Sequence, residues 1–369
     1  MPLSRRLLLA LSETPWLRDH APRWWFVKRA ATRFMPGDTL EEALTAAEAL
    51  HEQGLDVVFT ELGENVTDIA QADTVTAHYA DALARISHSG LNCELSVKLT
   101  QLGLDIDADR SFLNLRSLVE LASRRNTRVW IDMEQHGYVD RTLTIYRRLL
   151  SEFQNVGVCL QAYLYRTKDD LSSLLPLGGG IRLVKGAYRE PATLAFPKKR
   201  DVDANFLQLA GLMLGAVGGP MAPLMVFGTH DRRMLDTIAR EADRAAIPRE
   251  AFEFHLLFGI QRAEQVRLRR EGYRVRVLIS YGEQWFAWYM RRLAERPANV
   301  LFAARALMPS RRRRGGVSRP TTSEGRIGGT GKAVGSSTQT WASHTNEVSS
   351  GASARSGRMD SARFPNEQF

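Results

Sequence analysis

Two hydrophobic patterns alternate along the chain from Asp38 onward. Windows with apolar residues at the 3.6-residue spacing of a helix are separated by short runs of β-branched and other apolar residues. The predicted helices are 39–53, 75–87, 111–125, 139–153, 204–217, 233–246, 261–271 and 283–294. The predicted strands are 56–62, 93–100, 128–134, 156–163, 181–188, 225–230, 251–257 and 275–280.

This regular alternation predicts an α/β protein with a parallel sheet whose strands are joined by helices. Eight strand units indicate a closed sheet, so we predict a (β/α)8 TIM-type barrel over residues 37–308. A helical segment, residues 1–36, would precede the barrel. An open, doubly wound sheet remains the alternative fold.

The composition changes sharply after Met308. Residues 309–369 contain a run of four arginines, are rich in Gly, Ser and Thr, and have few aliphatic residues. Such a segment buries too little apolar surface to offset the entropy lost on ordering, so we predict a low-complexity disordered tail. It holds ten Lys or Arg and four Asp or Glu, a net +6 of the formal +9. Because the remainder is nearly balanced, we predict no nucleic-acid partner.

The cysteine usage and the lack of long apolar stretches indicate in which cellular compartment the protein acts. Cys93 and Cys159 stand within apolar runs, not at metal-ligand spacing, which predicts buried thiols in a reducing environment. No stretch reaches the roughly 18–20 apolar residues that span a bilayer. Residues 1–11 begin like a signal peptide, but the apolar run is only about five residues long and no cleavage pattern follows. We therefore expect a cytoplasmic protein.

Polar residues interrupt or end six successive predicted strands. In β/α barrels the chemistry lies at the C-terminal ends of the strands. The residues there are Lys98, Asp132 with Glu134, Gln161 with Tyr163, Lys185 with Tyr188, Thr229 with His230, and His255. For any one of them a surface loop is the simpler interpretation. Their coincidence on six strands predicts a polar ring at one mouth of the barrel, as expected of an active site.

Two charged groups within this pattern have open interpretations. Lys98 and Asp132 lie on adjacent strands and could form a buried ion pair facing a small ligand, or a salt bridge that only stabilises the rim. In the last predicted helix, Arg291 and Arg292 stand side by side, with Glu295 one turn after Arg291. Adjacent guanidinium groups suit a bidentate grip on a carboxylate, but a solvated basic helix face explains them equally well. The eight histidines show no metal-ligand spacing, so we predict no metal.

Several strings resemble the flavin-dependent proline dehydrogenase family in content and order. They are SVKLTQLGL (96–104), IDME (131–134), LQAYL (160–164), RLVKGAYRE (182–190), THD (229–231), FEFHLLFGI (252–260) and YGEQWFAWYMRRLAERPAN (281–299). The resemblance covers about residues 30–308 and includes the upstream GDTLEEAL and GLDVVFTELGEN, which are similar to monofunctional bacterial members. It implies a (β/α)8 barrel that holds FAD at the strand ends and oxidises L-proline to 1-pyrroline-5-carboxylate, passing electrons to a membrane quinone. A peripheral contact with the inner face of the cytoplasmic membrane would follow.

The resemblance also implies roles for individual residues. Asp132 and Arg182 would be catalytic, with Arg182 near the flavin N5. The substrate-binding residues would be Lys98, Tyr188, Leu257, Leu278, Arg291, Arg292 and Glu295. The FAD-binding residues would be Met133, Gln161, Arg182, Lys185, Gly186, Ala187, Thr229 and His230.

Three positions depart from the family pattern. Leu278 stands where the family usually has Tyr, Ser280 where Pro is usual, and His255 where Gln is usual. These departures leave open a preference for a substituted ring such as hydroxyproline. A barrel lyase with Lys98 or Lys185 as a Schiff-base nucleophile is a second alternative, and a non-catalytic member of the family is a third.

Overall fold

Eight parallel strands close into a barrel in which each strand pairs with the next along the chain. The computed structural model describes His20, Trp24 and residues 31–63, 66–286 and 289–290. The strands are β1 (Asp56–Glu61), β2 (Cys93–Val97), β3 (Val129–Ile131), β4 (Val156–Gln161), β5 (Gly180–Val184), β6 (Leu224–Gly228), β7 (Phe252–Leu257) and β8 (Arg274–Tyr281). Pairing of β1 with β8 closes the sheet, with Val58 opposite Leu278 and Thr60 opposite Ser280. The predicted barrel is confirmed, and the open-sheet alternative is wrong.

Helices cover the outside of the barrel. Those described are α1 (Leu40–His51), α2 (Ile69–Ser89), α3 (Ala108–Ser123), α4 (Val139–Leu150), α5 (Thr167–Leu174), α6 (Lys199–Gly215), α7 (Arg232–Arg244) and α8 (Arg262–Arg270). Short 3-10 turns occupy His136–Tyr138, Leu175–Leu177 and Arg249–Ala251. The first helix has a reciprocal cap, in which Thr39 Oγ1 accepts from the Glu42 amide and Glu42 accepts from the Thr39 amide. Among these helices, only α5 was missed by the hydrophobic pattern.

Six of the eight strands, all except β7 and β8, end earlier than the apolar runs predict. β2 ends at Val97 and β3 at Ile131, so Lys98 and Asp132 are the first residues of the loops that follow. β5 ends at Val184, which places Lys185 in the loop after that strand. The predicted polar ring therefore lies at the junction of strand and loop, at the C-terminal end of the barrel.

The inside of the barrel is filled around one indole ring. Trp130 forms an interior cluster with Val58 and Val226, and Leu278 packs against it. A Cβ atom at Gly157 on β4 or at Gly180 on β5 would clash with the Trp130 ring, so both strands need glycine at this level. Trp130 therefore forms the floor beneath the mouth of the barrel.

Other predictions fall partly within and partly outside the described residues. Cys93 and Cys159 are buried free thiols, as predicted. The predicted segment 1–36 is described only at His20, Trp24 and from Ala31 onward, and the predicted tail 309–369 lies outside the described residues. Of the predicted helix 283–294, the part from residue 291 lies outside them. Within the described part of the chain, no helix combines the length and the apolarity that a bilayer crossing requires.

Candidate active site

A buried ion pair crosses the barrel just below its mouth. Arg182 Nη2 on β5 donates to Asp132 Oδ1 at 2.5 Å and to Ser96 Oγ at 2.7 Å, and Ser96 Oγ donates to the same carboxylate oxygen at 2.8 Å. The Arg182 side chain is 3% exposed and that of Asp132 is 21% exposed. A charge this deeply buried needs a partner, and here the carboxylate supplies it.

Lys98 and Asp132 could pair on sequence grounds, but the structure pairs Asp132 with Arg182 instead. Lys98 is buried beside the mouth, but within the described residues it takes part in no ion pair. Adjacency of β2 and β3 brings the two residues to the same edge, whereas the side chain of Asp132 turns inward to the hydroxyl of Ser96 and the guanidinium of Arg182. Asp132 and Lys98 therefore share one end of the barrel without being paired.

The Trp130 ring supports Arg182 from below. The guanidinium carbon of Arg182 lies 5.0 Å from the centroid of the indole, a cation–π distance. The indole Nε1 donates to Glu94 Oε2 at 2.7 Å, and the ring of His255 meets it edge-on at 5.6 Å. The contacts with Glu94 and His255 therefore fix the indole, and the indole in turn fixes the height of the Arg182 guanidinium within the barrel.

A second charged layer lies deeper, at Glu94, Glu253, His255 and Arg276, all of them buried. Arg276 Nε lies 2.9 Å from Glu253 Oε2 and 3.4 Å from Glu94 Oε2. His255 Nε2 lies 3.1 Å from Glu253 Oε2 and donates to it, because an ionised carboxylate can only accept. Ligand atoms of Glu94, Glu253 and His255 lie within 4.8 Å of one another, close enough for a metal ion. The Arg276 guanidinium already sits against both carboxylates, so we read the cluster as an ion-pair network.

Burial and these contacts set the protonation of the layer. Burial raises the pKa of Glu94 and lowers the pKa of His255 to about 4. Burial also opposes ionisation of Glu253, but the hydrogen bond from His255 and the charge of Arg276 outweigh it and lower the pKa of Glu253 to about 2. At neutral pH Glu253 is therefore ionised and His255 neutral.

Several buried polar atoms of the described residues have no hydrogen-bond partner, and two of these atoms belong to predicted site residues. Gln161 Nε2 donates to the Met133 carbonyl at 3.2 Å, but Gln161 Oε1 is buried and unsatisfied. Arg182 Nη1 is buried and unsatisfied as well. Buried polar groups are nearly always hydrogen-bonded, so these atoms mark the place where a polar ligand would complete the site.

The ends of β6 and β7 close one side of the mouth. Thr229 Oγ1 accepts from the Asp231 amide at 3.2 Å, and His230 Nε2 accepts from the Leu257 amide at 2.8 Å. Leu257 pairs in register with Leu278 on β8, and both side chains are half-buried. This side therefore offers an apolar wall beside fixed polar groups.

The loop after β5 is held from both of its sides. Lys185 Nζ lies 2.6 Å from Asp203 Oδ1 on α6 and 3.6 Å from Asp231 Oδ2. Gly186 adopts a φ of 108°, and a Cβ there would clash with the ring of Tyr163. The Tyr163 ring therefore packs directly against the backbone at Gly186. Further along, the buried carboxylate of Glu190 contacts His136 Nδ1 and accepts from its amide at 2.9 Å.

The chain matches the family described as Proline dehydrogenase over residues 43–305. It belongs to that family. It is 37% identical to Proline dehydrogenase 1 of Bacillus subtilis (strain 168) over 304 residues, 82% of this chain and 99% of the relative. It is 36% identical to the Proline dehydrogenase of Deinococcus radiodurans over 312 residues, 83% of this chain and 98% of the relative.

Solved structures support the fold. The proline utilization A (PutA) structure from Bdellovibrio bacteriovorus, inactivated by N-propargylglycine, superposes with a TM-score of 0.68 at 23% identity, over 79% of this chain and 36% of that one. PutA from Bradyrhizobium japonicum gives a TM-score of 0.63 over 76% of this chain and 32% of that one, again at 23% identity. The barrel of this family member is thus a known architecture.

The structure brings most of the predicted family positions to one mouth of the barrel. Those it places there are Lys98, Asp132, Met133, Gln161, Arg182, Lys185, Gly186, Ala187, Tyr188, Thr229, His230, Leu257 and Leu278. Arg291, Arg292 and Glu295, the predicted carboxylate clamp, lie outside the described residues.

Sequence reasoning missed the interior residues Ser96, Glu94, Trp130 and Arg276. Their common signal is a polar or aromatic side chain at alternate positions inside an apolar strand, which in a barrel means that the residue faces the interior.

Proposed function

We propose a flavin-dependent mechanism for the reaction that family membership assigns to this chain, the oxidation of L-proline to 1-pyrroline-5-carboxylate. The arrangement of Arg182, Asp132 and Gln161 at and just below the carboxyl ends of the strands carries the proposal. There a buried ion pair adjoins two unsatisfied polar atoms, Arg182 Nη1 and Gln161 Oε1. Both atoms belong to residues near the C-terminal end of the barrel, which is where β/α barrels bind their ligands.

The residues present fit FAD. Arg182 Nη1 offers a hydrogen-bond donor and Gln161 Oε1 an acceptor, which suits a heterocycle that carries both kinds of group. The groups that would hold the cofactor by noncovalent contacts are Met133, Gln161, Arg182, Lys185, Gly186, Ala187, Thr229 and His230. When bound, FAD supplies the acceptor for a hydride.

A second set of residues at the mouth would hold the substrate. Lys98 and Asp132 would line its polar side, while Leu257 and Leu278 would contact the ring and Tyr188 would pack beside it. Asp132 accepts from both Arg182 and Ser96, so we assign it an electrostatic role that keeps Arg182 in place. Arg291 and Arg292 would grip the substrate carboxylate, and Glu295 would brace an arginine.

Orientation is the main contribution of the chain. Loss of a hydride from the ring carbon beside nitrogen needs the nitrogen lone pair and a fixed C–H direction. A carboxylate clamp and an apolar wall fix the direction without a nucleophile. The Schiff-base alternative gains no support from Lys185, since its Nζ lies against the carboxylates of Asp203 and Asp231.

We further propose that a membrane quinone takes up the electrons in the second half-reaction. The protein would act in the cytoplasm, with a peripheral contact to the inner face of the cytoplasmic membrane. Activity with a soluble dye and with a quinone in vesicles would compare the two acceptor classes.

The cofactor assignment is tested by an absorption spectrum of the purified protein followed by acid precipitation. We expect a flavin spectrum and release of all the colour into the supernatant as FAD. Colour that stays with the pellet would show a covalent link, and a colourless protein that also fails to bind added FAD would refute the proposal.

A further inference from the structure

The loop that follows β5, residues 185–198 and here called the β5 loop, folds around the side chain of Tyr163. Tyr163 belongs to the loop after β4 and is 8% exposed. Its amide donates to the Lys185 carbonyl at 3.0 Å, and its carbonyl accepts from the Phe196 amide at 2.8 Å. Its ring lies so close to Gly186 that a Cβ there would clash with it. Tyr163 therefore contacts the β5 loop near both of its ends.

The phenol group of Tyr163 also holds the middle of the β5 loop. Its oxygen accepts a hydrogen bond from the Tyr188 backbone and donates to Glu190 Oε1 at 3.4 Å. Burial, together with the nearby Glu190 carboxylate, raises the pKa of Tyr163 well above its usual value, so the hydroxyl keeps its proton near neutral pH. The backbone at Tyr188 is thus fixed by a hydroxyl that comes from the neighbouring loop.

Glu190 fixes the same part of the β5 loop from a third loop. Its side chain is 2% exposed, and its carboxylate contacts His136 Nδ1 and accepts from the His136 amide at 2.9 Å. His136 begins the 3-10 turn that follows β3. A buried carboxylate is costly unless donors surround it, and here two loops supply them. The loops after β3, β4 and β5 are therefore joined through one carboxylate.

The residues between these contacts are the ones proposed to touch the ligands, namely Gly186 and Ala187 for FAD and Tyr188 for the substrate. We propose that Tyr163 and Glu190 are positioning residues, which set the place of these three residues without contacting a ligand themselves. The inference rests on the proposed function and deepens it. Small displacements at a ligand contact are costly, since a shift of about 1 Å can lower a rate roughly a hundredfold.

The arrangement predicts that binding and turnover respond differently when the β5 loop is loosened. Arg182 is held from across the barrel by Asp132 and Ser96, and those bonds lie in the interior, outside the β5 loop. A loosened β5 loop should therefore weaken the binding of FAD and L-proline, whereas the rate at saturation should fall much less. A purely structural defect would lower the amount of folded protein and leave the constants of the folded fraction unchanged.

The test is Tyr163→Phe, which keeps the ring against Gly186 and removes only the hydroxyl. Tyr146→Phe is the matched control, because the Tyr146 hydroxyl is also buried and donates to the Gly180 carbonyl at 3.0 Å, at the opposite end of β5. We expect Tyr163→Phe to raise the Kd of FAD and the KM of L-proline by about tenfold each, the effect of one lost buried hydrogen bond. Tyr146→Phe should leave both constants at their wild-type values.

A pair of variants at Glu190 separates placement from packing. Glutamine keeps an oxygen that accepts from the His136 amide, so Glu190→Gln should retain most of the FAD affinity that Glu190→Ala loses. Hydrogen–deuterium exchange of the FAD-loaded proteins over residues 186–197 gives a readout that does not depend on turnover. Exchange there should be faster in Tyr163→Phe and Glu190→Ala than in the wild type or in Tyr146→Phe.

The outcomes distinguish the inference from the function on which it rests. An unchanged Kd of FAD and KM of L-proline in Tyr163→Phe would overturn the positioning role and leave the proposed function intact. Equal shifts in Tyr163→Phe and Tyr146→Phe would overturn it as well, by showing a general effect on the fold. A wild type that binds FAD without oxidising L-proline would defeat the proposed reaction, and the Kd of FAD would still decide the positioning role. A wild type that binds no FAD would defeat both.

Discussion

Removing the carboxylate of Asp132 should be among the most damaging single changes in the barrel. The carboxylate accepts from Arg182 at 2.5 Å and from Ser96 at 2.8 Å, and the Arg182 side chain is 3% exposed. Asp132→Ala would leave that guanidinium buried without a counter-charge. Breaking a buried pair in this way typically costs about 3–5 kcal/mol of unfolding free energy. Asp132→Asn should cost less, because the amide oxygen still accepts the hydrogen bonds while the charge is lost.

An exposed ion pair supplies the control. Arg110 Nη2 lies 2.7 Å from Asp73 Oδ2, with side chains that are 46% and 39% exposed. Exposed pairs contribute about 0–1 kcal/mol. Asp73→Ala also loses the hydrogen bond from Asn114 Nδ2, but Asn114 keeps its bond to the Leu102 carbonyl, so the cost should stay at about 1 kcal/mol. The assay is urea unfolding followed by circular dichroism, with kcat/KM for L-proline measured on the same samples. An Asp132→Ala variant that unfolds within about 1 kcal/mol of Asp73→Ala would refute the assignment of a buried, mutually dependent pair.

Four further outcomes are expected. Because the pKa of His255 is lowered to about 4 in the folded chain, the unfolded chain binds the proton first, and stability should fall as the pH drops from about 6.5 toward 4. The His255→Gln variant lacks this titrating group, so its free energy of unfolding should not show the loss. Between pH 8 and pH 5 the difference in unfolding free energy between variant and wild type should therefore move by about 2 kcal/mol in favour of the variant. Urea unfolding at both pH values measures this difference, and an equal pH dependence of the two proteins would contradict the prediction. Arg292→Met should cost about 2–5 kcal/mol in kcat/KM for L-proline with FAD retained, and a change below about fivefold would argue against the carboxylate clamp. Truncation before Ser310 should leave folding, FAD content and turnover with a soluble acceptor intact, whereas loss of flavin would show that residues 310–369 contribute to the barrel. Leu278→Tyr should shift the kcat/KM ratio of proline to 4-hydroxyproline toward proline by about 1–3 kcal/mol through steric restriction, and an unchanged ratio would show that this side chain does not limit the ring.

The barrel could be predicted from the sequence because nearly every helix and strand has its own local hydrophobic pattern. Seven of the predicted helical windows coincide with described helices, and each of the eight apolar runs overlaps a strand. The helix α5 was missed because it is only eight residues long and buries three side chains, Thr167, Leu171 and Leu174. So short a segment does not establish a helical period.

Contacts across the barrel could not be predicted. The sequence places Lys98 and Asp132 on neighbouring strands, which suggests a pair, but it carries no signal for Arg182 reaching Asp132 from β5 through the interior. The same holds for Trp130, whose ring needs glycine at positions on β4 and β5 that are distant in sequence. Which side chains contact one another across the interior depends on their size and direction inside the closed sheet. Those contacts are defined only once the barrel has closed.

The most direct test of the central claim is the anaerobic addition of L-proline to the purified, FAD-loaded protein. We predict that the absorption of oxidised flavin bleaches, and that mass spectrometry finds the cyclic imine in an amount equal to the flavin reduced. Arg182→Met and Asp132→Ala proteins with bound FAD should bleach far more slowly. A flavin that stays oxidised in the wild type under excess L-proline and excess 4-hydroxyproline, with no imine formed, would contradict the account.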